Sequence, residues 1–245
     1  MRTYIFKIKR FDPEKDKSSR WEQFSVELEQ TERLLDGLIK IKDSMDGSLT
    51  FRRSCAHGIC GSCAMKINGE SRLACQSIAK DMPHTILFEP LPAFTVIKDL
   101  VVDFDPFFAK NEEVLPYLMN NEPPPERERI QSPHEQERIL DSITCIMCGC
   151  CTSACPVYWG DKQYLGPAAL LKAFRFIFDS RDREGEARLK CVSQTSGMWR
   201  CHSIYNCVEV CPKAIDITAH ISKLKRAAVK KNFSLKTSLK KGLTE

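Results

Sequence analysis

The chain has 245 residues, enough for two domains of ordinary size, and its 42% hydrophobic and 28% charged residues are those of a globular protein. Its formal net charge of +5 is concentrated in the tail: from Ile221 onward there are eight Lys/Arg and one acid, so the body is slightly acidic. That distribution, with no nucleic-acid motif beside it, argues against a nucleic-acid partner, and no apolar run reaches the roughly 18 residues of a membrane span.

The first third reads as β-rich. "TYIFKIKRF" (3–11) and "EQFSVELE" (22–29) alternate apolar and polar residues around a charged loop, as in a hairpin. "TERLLDGLIKIKDSM" (31–45) carries Leu34, Leu35, Leu38 and Ile39 at helical spacing, with Thr31 as the expected N-cap. Asp46-Gly47 turns the chain into an expected strand, "SLTFRRS" (48–54). "AMKINGESRLAC" (64–75) predicts two short strands about Asn68-Gly69, a favoured hairpin turn, and "TILFEPL" (85–91) a last strand. This is a β-grasp-like pattern, a mixed sheet crossed by one helix. The opening "MRTYIFKIKRFD" reads as a strand and not as a signal or transit peptide, which suggests a prokaryotic chain or one already processed.

Residues 120–138 are proline-rich and charged, hence linker-like. Beyond them the chain turns helical. "GPAALLKAFRFIFDSRD" (166–182) opens with Pro167 in its first turn and carries Leu170, Leu171, Phe174, Ile177 and Phe178 along one face; "EGEARLKCV" and "DITAHISKLKRAAVKK" are further helices. Domains are therefore expected at 1–105 and 106–245.

Thirteen cysteines are far more than usual, and their C-x2-C and C-x4-C spacings in a chain without an export signal favour metal ligation in a reducing compartment. Cys55, Cys60 and Cys63 stand in "SCAHGICGSC", and Cys75 follows a short hairpin later. C-x4-C-x2-C…C is the plant-type spacing for a [2Fe-2S] cluster. Gly58 and Gly61 let the backbone approach the sulfides, which accept N–H hydrogen bonds. A four-cysteine zinc site is the alternative, though it usually shows two C-x2-C knuckles.

"CIMCGCCTSACP" (145–156) and "CHSIYNCVEVCP" (201–212) are near copies. In the bacterial two-cluster pattern C-x2-C-x2-C-x3-C-P, three cysteines wrap one cluster and the fourth serves the other. Applied here, Cys145, Cys148, Cys151 and Cys211 hold a [4Fe-4S] cluster. Cys201 and Cys207, with Cys155, hold the other. Ile204 stands where that second set would have its remaining thiolate, so three ligands predict a [3Fe-4S] cluster. Cys150 is expected to be a buried, inert thiol, and Cys191 a cysteine without a nearby partner. Three clusters and no substrate motif make an electron wire.

The segments "FRRSC…GICGSCAM", "RLAC", "CIMCGCCTSACPVYW", "LGPAALLKAFRFIFDSRD" and "WRCHSIYNCVEVCPK" resemble, in this order and over nearly the whole chain, the iron–sulfur subunits of succinate dehydrogenase and fumarate reductase (respiratory complex II). The resemblance implies an α+β fold: a plant-type ferredoxin domain of β-grasp form, then a mainly α-helical bacterial-type ferredoxin domain. It implies electrons passing from an FAD-containing flavoprotein subunit through the two-iron, four-iron and three-iron clusters to a quinone. It also implies a membrane anchor, with haem b left open, and a peripheral place on the cytoplasmic face of the inner membrane. Its quinone site corresponds to Pro156, Trp159, His202 and Ile204. Gly160 stands where many members carry a second tryptophan, so that contact is not carried over. The basic tail reads either as a contact for anionic headgroups or as a solvated end over 232–245. The same wire in a quinol:fumarate reductase is the alternative function. The wire of another membrane oxidoreductase, passing electrons from a different flavoprotein to quinones or heterodisulfides, is a second hypothesis, against which the absence of cysteine-cysteine-glycine motifs counts. A zinc-stabilised interaction module is a third, which a brown colour, visible absorption and bound sulfide would exclude.

Overall fold

The inward face of the first strand ends in a charge. In this computed structural model, which describes residues 1–241 and side chains through residue 231, β1 (Arg2–Arg10) buries Tyr4, Phe6 and Ile8 by two-residue alternation, and then Arg10. The Arg10 guanidinium is met by Asp99 at 3.0 Å, Glu22 at 2.7 Å, and Asp46. β1 pairs antiparallel with β2 (Arg20–Leu28), with Phe6 opposite Phe24.

The α1 helix (Leu34–Ser44) buries Leu34, Leu35, Leu38 and Ile41 in the same core. Gly37 lies on this face because a Cβ there would come within 2.6 Å of the Phe6 ring. The expected cap at Thr31 is displaced to Arg33, whose N–H donates to the Asp36 carboxylate at 2.9 Å. A long-range bond, Leu34 N–H to the Ser77 carbonyl at 2.9 Å, joins this local bond in setting the entry.

β3 (Ala64–Ile67) and β4 (Glu70–Leu73) form the expected hairpin, with Asn68 at φ 49° and Gly69 at φ 90°. Both turn residues are left-handed, the backbone that Asn-Gly adopts most readily. β5 (Thr85–Glu89) runs parallel to β1 and antiparallel to β3, giving the order β2-β1-β5-β3-β4. This is the mixed β-grasp sheet. Residues 48–54 do not form the expected strand: the Thr50 N–H is taken by the Asp99 carboxylate at 2.9 Å, a side-chain partner in place of a ladder. β6 (Val96–Lys98) and β7 (Val101–Val102) pair with each other instead.

The later chain is helical: α2 (Asp105–Glu113), α3 (Pro133–Glu137), α4 (Leu140–Ile143), α5 (Cys150–Ser153), α6 (Pro156–Gly160), α7 (Gly166–Ile177), α8 (Gly185–Val192), α9 (Asn206–Glu209) and α10 (Ile217–Lys241). The expected helix over 166–182 stops five residues early, because the buried Asp179 carboxylate accepts from Arg175 and Arg181, both at 2.8 Å, and folds the chain back. α7 packs against α8 and α10, with the Phe174 ring against His220 of α10 and the Arg188 guanidinium of α8 over the Phe176 ring. Arg188 of α8 is wholly buried and ties Asp182 to the carbonyls of Leu115 and Tyr117.

By contacts the chain forms two units. The first is Met1–Phe107 with Ile146–Cys155 and Glu209–Ala214; the second is Phe108–Cys145 with Pro156–Val208 and the chain from Ile215. The side chains of the tail, 232–245, lie outside the described residues. No helix among the described residues is long and apolar enough to cross a membrane.

Candidate metal centres

The loop after residue 54 bends so as to aim amide hydrogens at one sulfur. Ala56, Gly58 and Gly61 have φ of 56°, 69° and 72°, and the left-handed residues turn successive N–H groups inward. Cys55 Sγ accepts from the N–H of His57 at 3.3 Å, Ile59 at 3.4 Å and Cys60 at 3.3 Å. These backbone donors, that of His57 foremost, lower the Cys55 thiol to about 6. A sulfur so surrounded is prepared to be a thiolate, the form that binds iron.

Cys63 precedes β3 and Cys75 follows β4, so the register Ala64 opposite Leu73 brings the two together. Both are buried, and their side chains hydrogen-bond each other. Burial pushes Cys63 up to about 12 as a free thiol, which makes a metal the natural means of keeping it deprotonated. Cys60 is exposed, with its sulfur 3.2 Å from Ser62 Oγ, and the neighbouring Ile59 is 62% exposed. Cys55, Cys60, Cys63 and Cys75 are thus interacting thiols whose chemistry suits a two-iron cluster, and the exposure of Cys60 and Ile59 leaves that side of the loop open to solvent.

Gly61 does more than permit backbone bending. A Cβ on it would stand 2.8 Å from Cys148 Cβ and 3.1 Å from the Ile146 carbonyl oxygen. The first cysteine loop thus lies directly against the second. In that second loop, Met147 and Gly149 have φ of 54° and 80°, and Gly149 seats under Phe104, 2.8 Å from where its Cβ would be. Cys148, Cys151 and Cys211 all belong to this unit and all act electrostatically on the buried Cys150. Cys150 hydrogen-bonds Cys148, whose thiol is lowered to about 7 by that bond. A cleft of about 290 Å³ beside β4 has Cys211 and Pro212 in its wall.

Cys145, Cys201 and Cys207 are placed in the second unit, and Cys155 in the first. Cys201 ends a short 3₁₀ turn (Met198–Arg200), and its carbonyl accepts from Lys225 Nζ at 2.7 Å. Cys207 lies in α9, buried, with Sγ 3.5 Å from Thr218 Oγ1. The chain between them carries Ser203 and Tyr205 at φ of 56° and 71°. Trp159 of α6 is 51% exposed and Ile204 49%; His202 is exposed and Pro156 half-buried. Trp199 and Tyr205, not singled out in the sequence, are also exposed in this unit. Cys191 has a partner after all: its Sγ donates to the Glu113 carbonyl at 3.4 Å.

Residues 5–109 match the family described as 2Fe-2S iron-sulfur cluster binding domain, and residues 141–215 the 4Fe-4S dicluster domain. Each cysteine set falls inside its matched range. The succinate dehydrogenase iron-sulfur subunit of Coxiella burnetii is 40% identical over 223 residues, 90% of this chain and 94% of the relative. That of Paracoccus denitrificans is 42% identical over 227 residues, 91% of this chain and 87% of the relative. The chain belongs to the succinate dehydrogenase iron–sulfur subunit family.

A chain of the Mycobacterium smegmatis Sdh1 complex in the apo form shares the fold, with a TM-score of 0.83 at 23% identity, covering 94% of this chain and 97% of that one. The α+β reading, a sheet domain followed by a helical one, is thereby borne out. Family members are subunits, so this chain works within a complex. Sequence reasoning alone missed Thr218, whose approach to Cys207 depends on where a helix lies, and the Cys150–Cys148 bond, since a two-residue spacing does not say which way each thiol turns. For Gly61, the glycine in a tight cysteine loop was a signal, but not for the neighbour it admits.

Proposed function

We propose that this chain is the electron relay of a succinate:quinone oxidoreductase, taking electrons from an FAD-containing flavoprotein subunit and delivering them to a membrane quinone. The observation that carries the relay is the approach of Gly61 to Cys148, which leaves no room for a side chain between two ligand loops. Bound iron–sulfur clusters supply one-electron transfer. Cys55, Cys60, Cys63 and Cys75 would hold [2Fe-2S]; Cys145, Cys148, Cys151 and Cys211 [4Fe-4S]; Cys155, Cys201 and Cys207 [3Fe-4S], since Ile204 offers no thiolate.

The residues divide the work. The amide donors around Cys55 stabilise negative sulfur, and exposed Ile59 and Cys60 present the entry edge to the flavoprotein. At the exit, Pro156, Trp159, His202 and Ile204 would border the quinone, where exposed Trp159 and Ile204 provide apolar surface and His202 a polar handle. The domains of this reading are 1–105 and 106–245. The complex would sit on the cytoplasmic face of the inner membrane, held by an anchor that supplies the membrane spans.

The test is the purified complex, assayed with succinate and several quinones, with paramagnetic resonance of the oxidised and reduced states. Succinate-driven quinone reduction and three distinct signals are expected. Faster fumarate reduction by quinol would assign the wire to the reverse reaction, and a preparation with zinc and no sulfide would refute it.

A further inference from the structure

Among the described residues, the hydroxyls of Ser62, Thr152 and Thr218 lie near sulfurs of the proposed ligand set. Ser62 Oγ is 3.2 Å from Cys60, but that pair is exposed, and water competes for both atoms. Thr152 Oγ1 is 3.9 Å from Cys151, at the outer limit for a sulfur acceptor. Thr218 differs from both. It is 1% exposed, its Oγ1 is 3.5 Å from Cys207 Sγ, and that cysteine is itself 8% exposed. A buried hydroxyl needs a partner, and this sulfur is the one Thr218 finds.

The hydroxyl is held there by the start of α10. Asp216 caps the first turn, accepting from the Ala219 N–H at 2.8 Å, and its carbonyl accepts from the His220 N–H at 3.3 Å. His220 packs edge-on against Phe174 of α7, with ring centroids 4.3 Å apart. Threonine is β-branched, so its χ1 has few choices once the helix is fixed.

Either atom of the pair can donate while Cys207 carries a proton. A sulfur bound to iron has none, and a thiolate accepts only; the hydroxyl must then donate. We propose that Thr218 is a positioning residue for the final electron relay, whose hydroxyl donates to the Cys207 sulfur and raises the reduction potential of the centre that Cys207 serves. The proposal rests on the ligand set Cys155, Cys201 and Cys207 given above. The physical cause is charge. Reduction adds one electron to the centre, its sulfurs become more negative, and a donated hydrogen bond strengthens accordingly. The reduced state gains more than the oxidised one. A hydrogen bond to a charged acceptor is worth enough to move the oxidised-to-reduced ratio about tenfold, which is ~59 mV for one electron.

The experiment is a redox titration of the intact complex, following the oxidised three-iron signal by paramagnetic resonance. Thr218→Val keeps the branched shape and loses the donor; Thr218→Ser keeps the donor. The valine variant is expected to titrate lower by that amount, the serine variant near wild type, and the two-iron centre unchanged in both. A valine variant that titrates with wild type overturns the proposal, and so does an equal fall in both variants, which would mark a packing effect. Should the valine variant not assemble, resonance Raman of the wild type decides. The iron–cysteine sulfur bands are expected to shift in deuterated buffer, and their constancy overturns the proposal without any variant. A wild-type complex with no three-iron signal refutes the ligand set itself, and this proposal with it.

Discussion

Gly61 is packed so closely on Cys148 that a single Cβ on the glycine would overlap the cysteine, 2.8 Å from its Cβ and 2.9 Å from its Cα. Gly61 is also left-handed at φ 72°. Alanine there is therefore penalised twice, by about 1–2 kcal/mol for the backbone and by the displacement of one loop from the other. We expect Gly61→Ala to retain both cysteine sets but to slow electron transfer between the first two centres. Rapid-mixing kinetics of the second centre's reduction, with the two-iron signal as control, measure this. Wild-type rates and stability together would mean that the contact has no role in transfer.

The first unit draws on distant parts of the chain. Cys148, Cys150 and Val210 pack with the core formed by β1, α1 and the hairpin, and Ser153 Oγ donates to buried Ser71 at 2.8 Å. A fragment of residues 1–105 retains all four cysteines proposed to hold the two-iron cluster but lacks these segments. We expect it to take up a two-iron cluster, with a lower melting temperature than the same domain in the full chain. A folded fragment that never acquires a two-iron spectrum would show the assignment of Cys55, Cys60, Cys63 and Cys75 to be wrong.

Local chemistry was legible and long-range placement was not. Asn68-Gly69 announces its own left-handed turn, and the alternation of Tyr4, Phe6 and Ile8 announces a half-buried strand. Residues 48–54 carry the composition of a strand, yet Asp99, half a hundred residues on, takes the Thr50 amide. The cysteine spacings indicate which chemistry to expect. They do not reveal that Gly61 abuts Cys148, or that α10 carries Thr218 to Cys207, because those relations come from how elements pack.

Asp179 makes a prediction about pH. Its burial raises the carboxyl, but hydrogen bonds from Arg181 and Arg175 outweigh this and hold it at about 2. A carboxylate depressed below its unfolded value contributes stability that is full above about pH 4 and is lost as pH falls through the folded value. The shift corresponds to ~2 kcal/mol. Thermal unfolding of Asp179→Asn should thus show a deficit of that order, constant from pH 8 to 5. A deficit that varies across this range would mean that another group is titrating.

Ile204 occupies the place in the second cysteine run that Cys148 has in the first, and it lies 49% exposed between Cys201 and Cys207. Ile204→Cys restores the three-cysteine spacing and should let a fourth iron bind. Core charge is among the main controls on potential, and we expect the potential of this last centre to fall. The centre then becomes harder to reduce, and the relay before it meets a worse acceptor. Quinone reduction should slow, while succinate oxidation by an artificial acceptor that takes electrons at the flavin should persist. Paramagnetic resonance of the oxidised complex separates the outcomes: wild type is expected to show a three-iron signal and the variant to lose it. A variant that keeps that signal would mean that position 204 does not face the open corner. Because Ile204 is half-exposed, a thiol there is also within reach of solvent oxidants. The comparison is therefore made on anaerobically prepared complex, where loss of the signal reports iron binding and not oxidation.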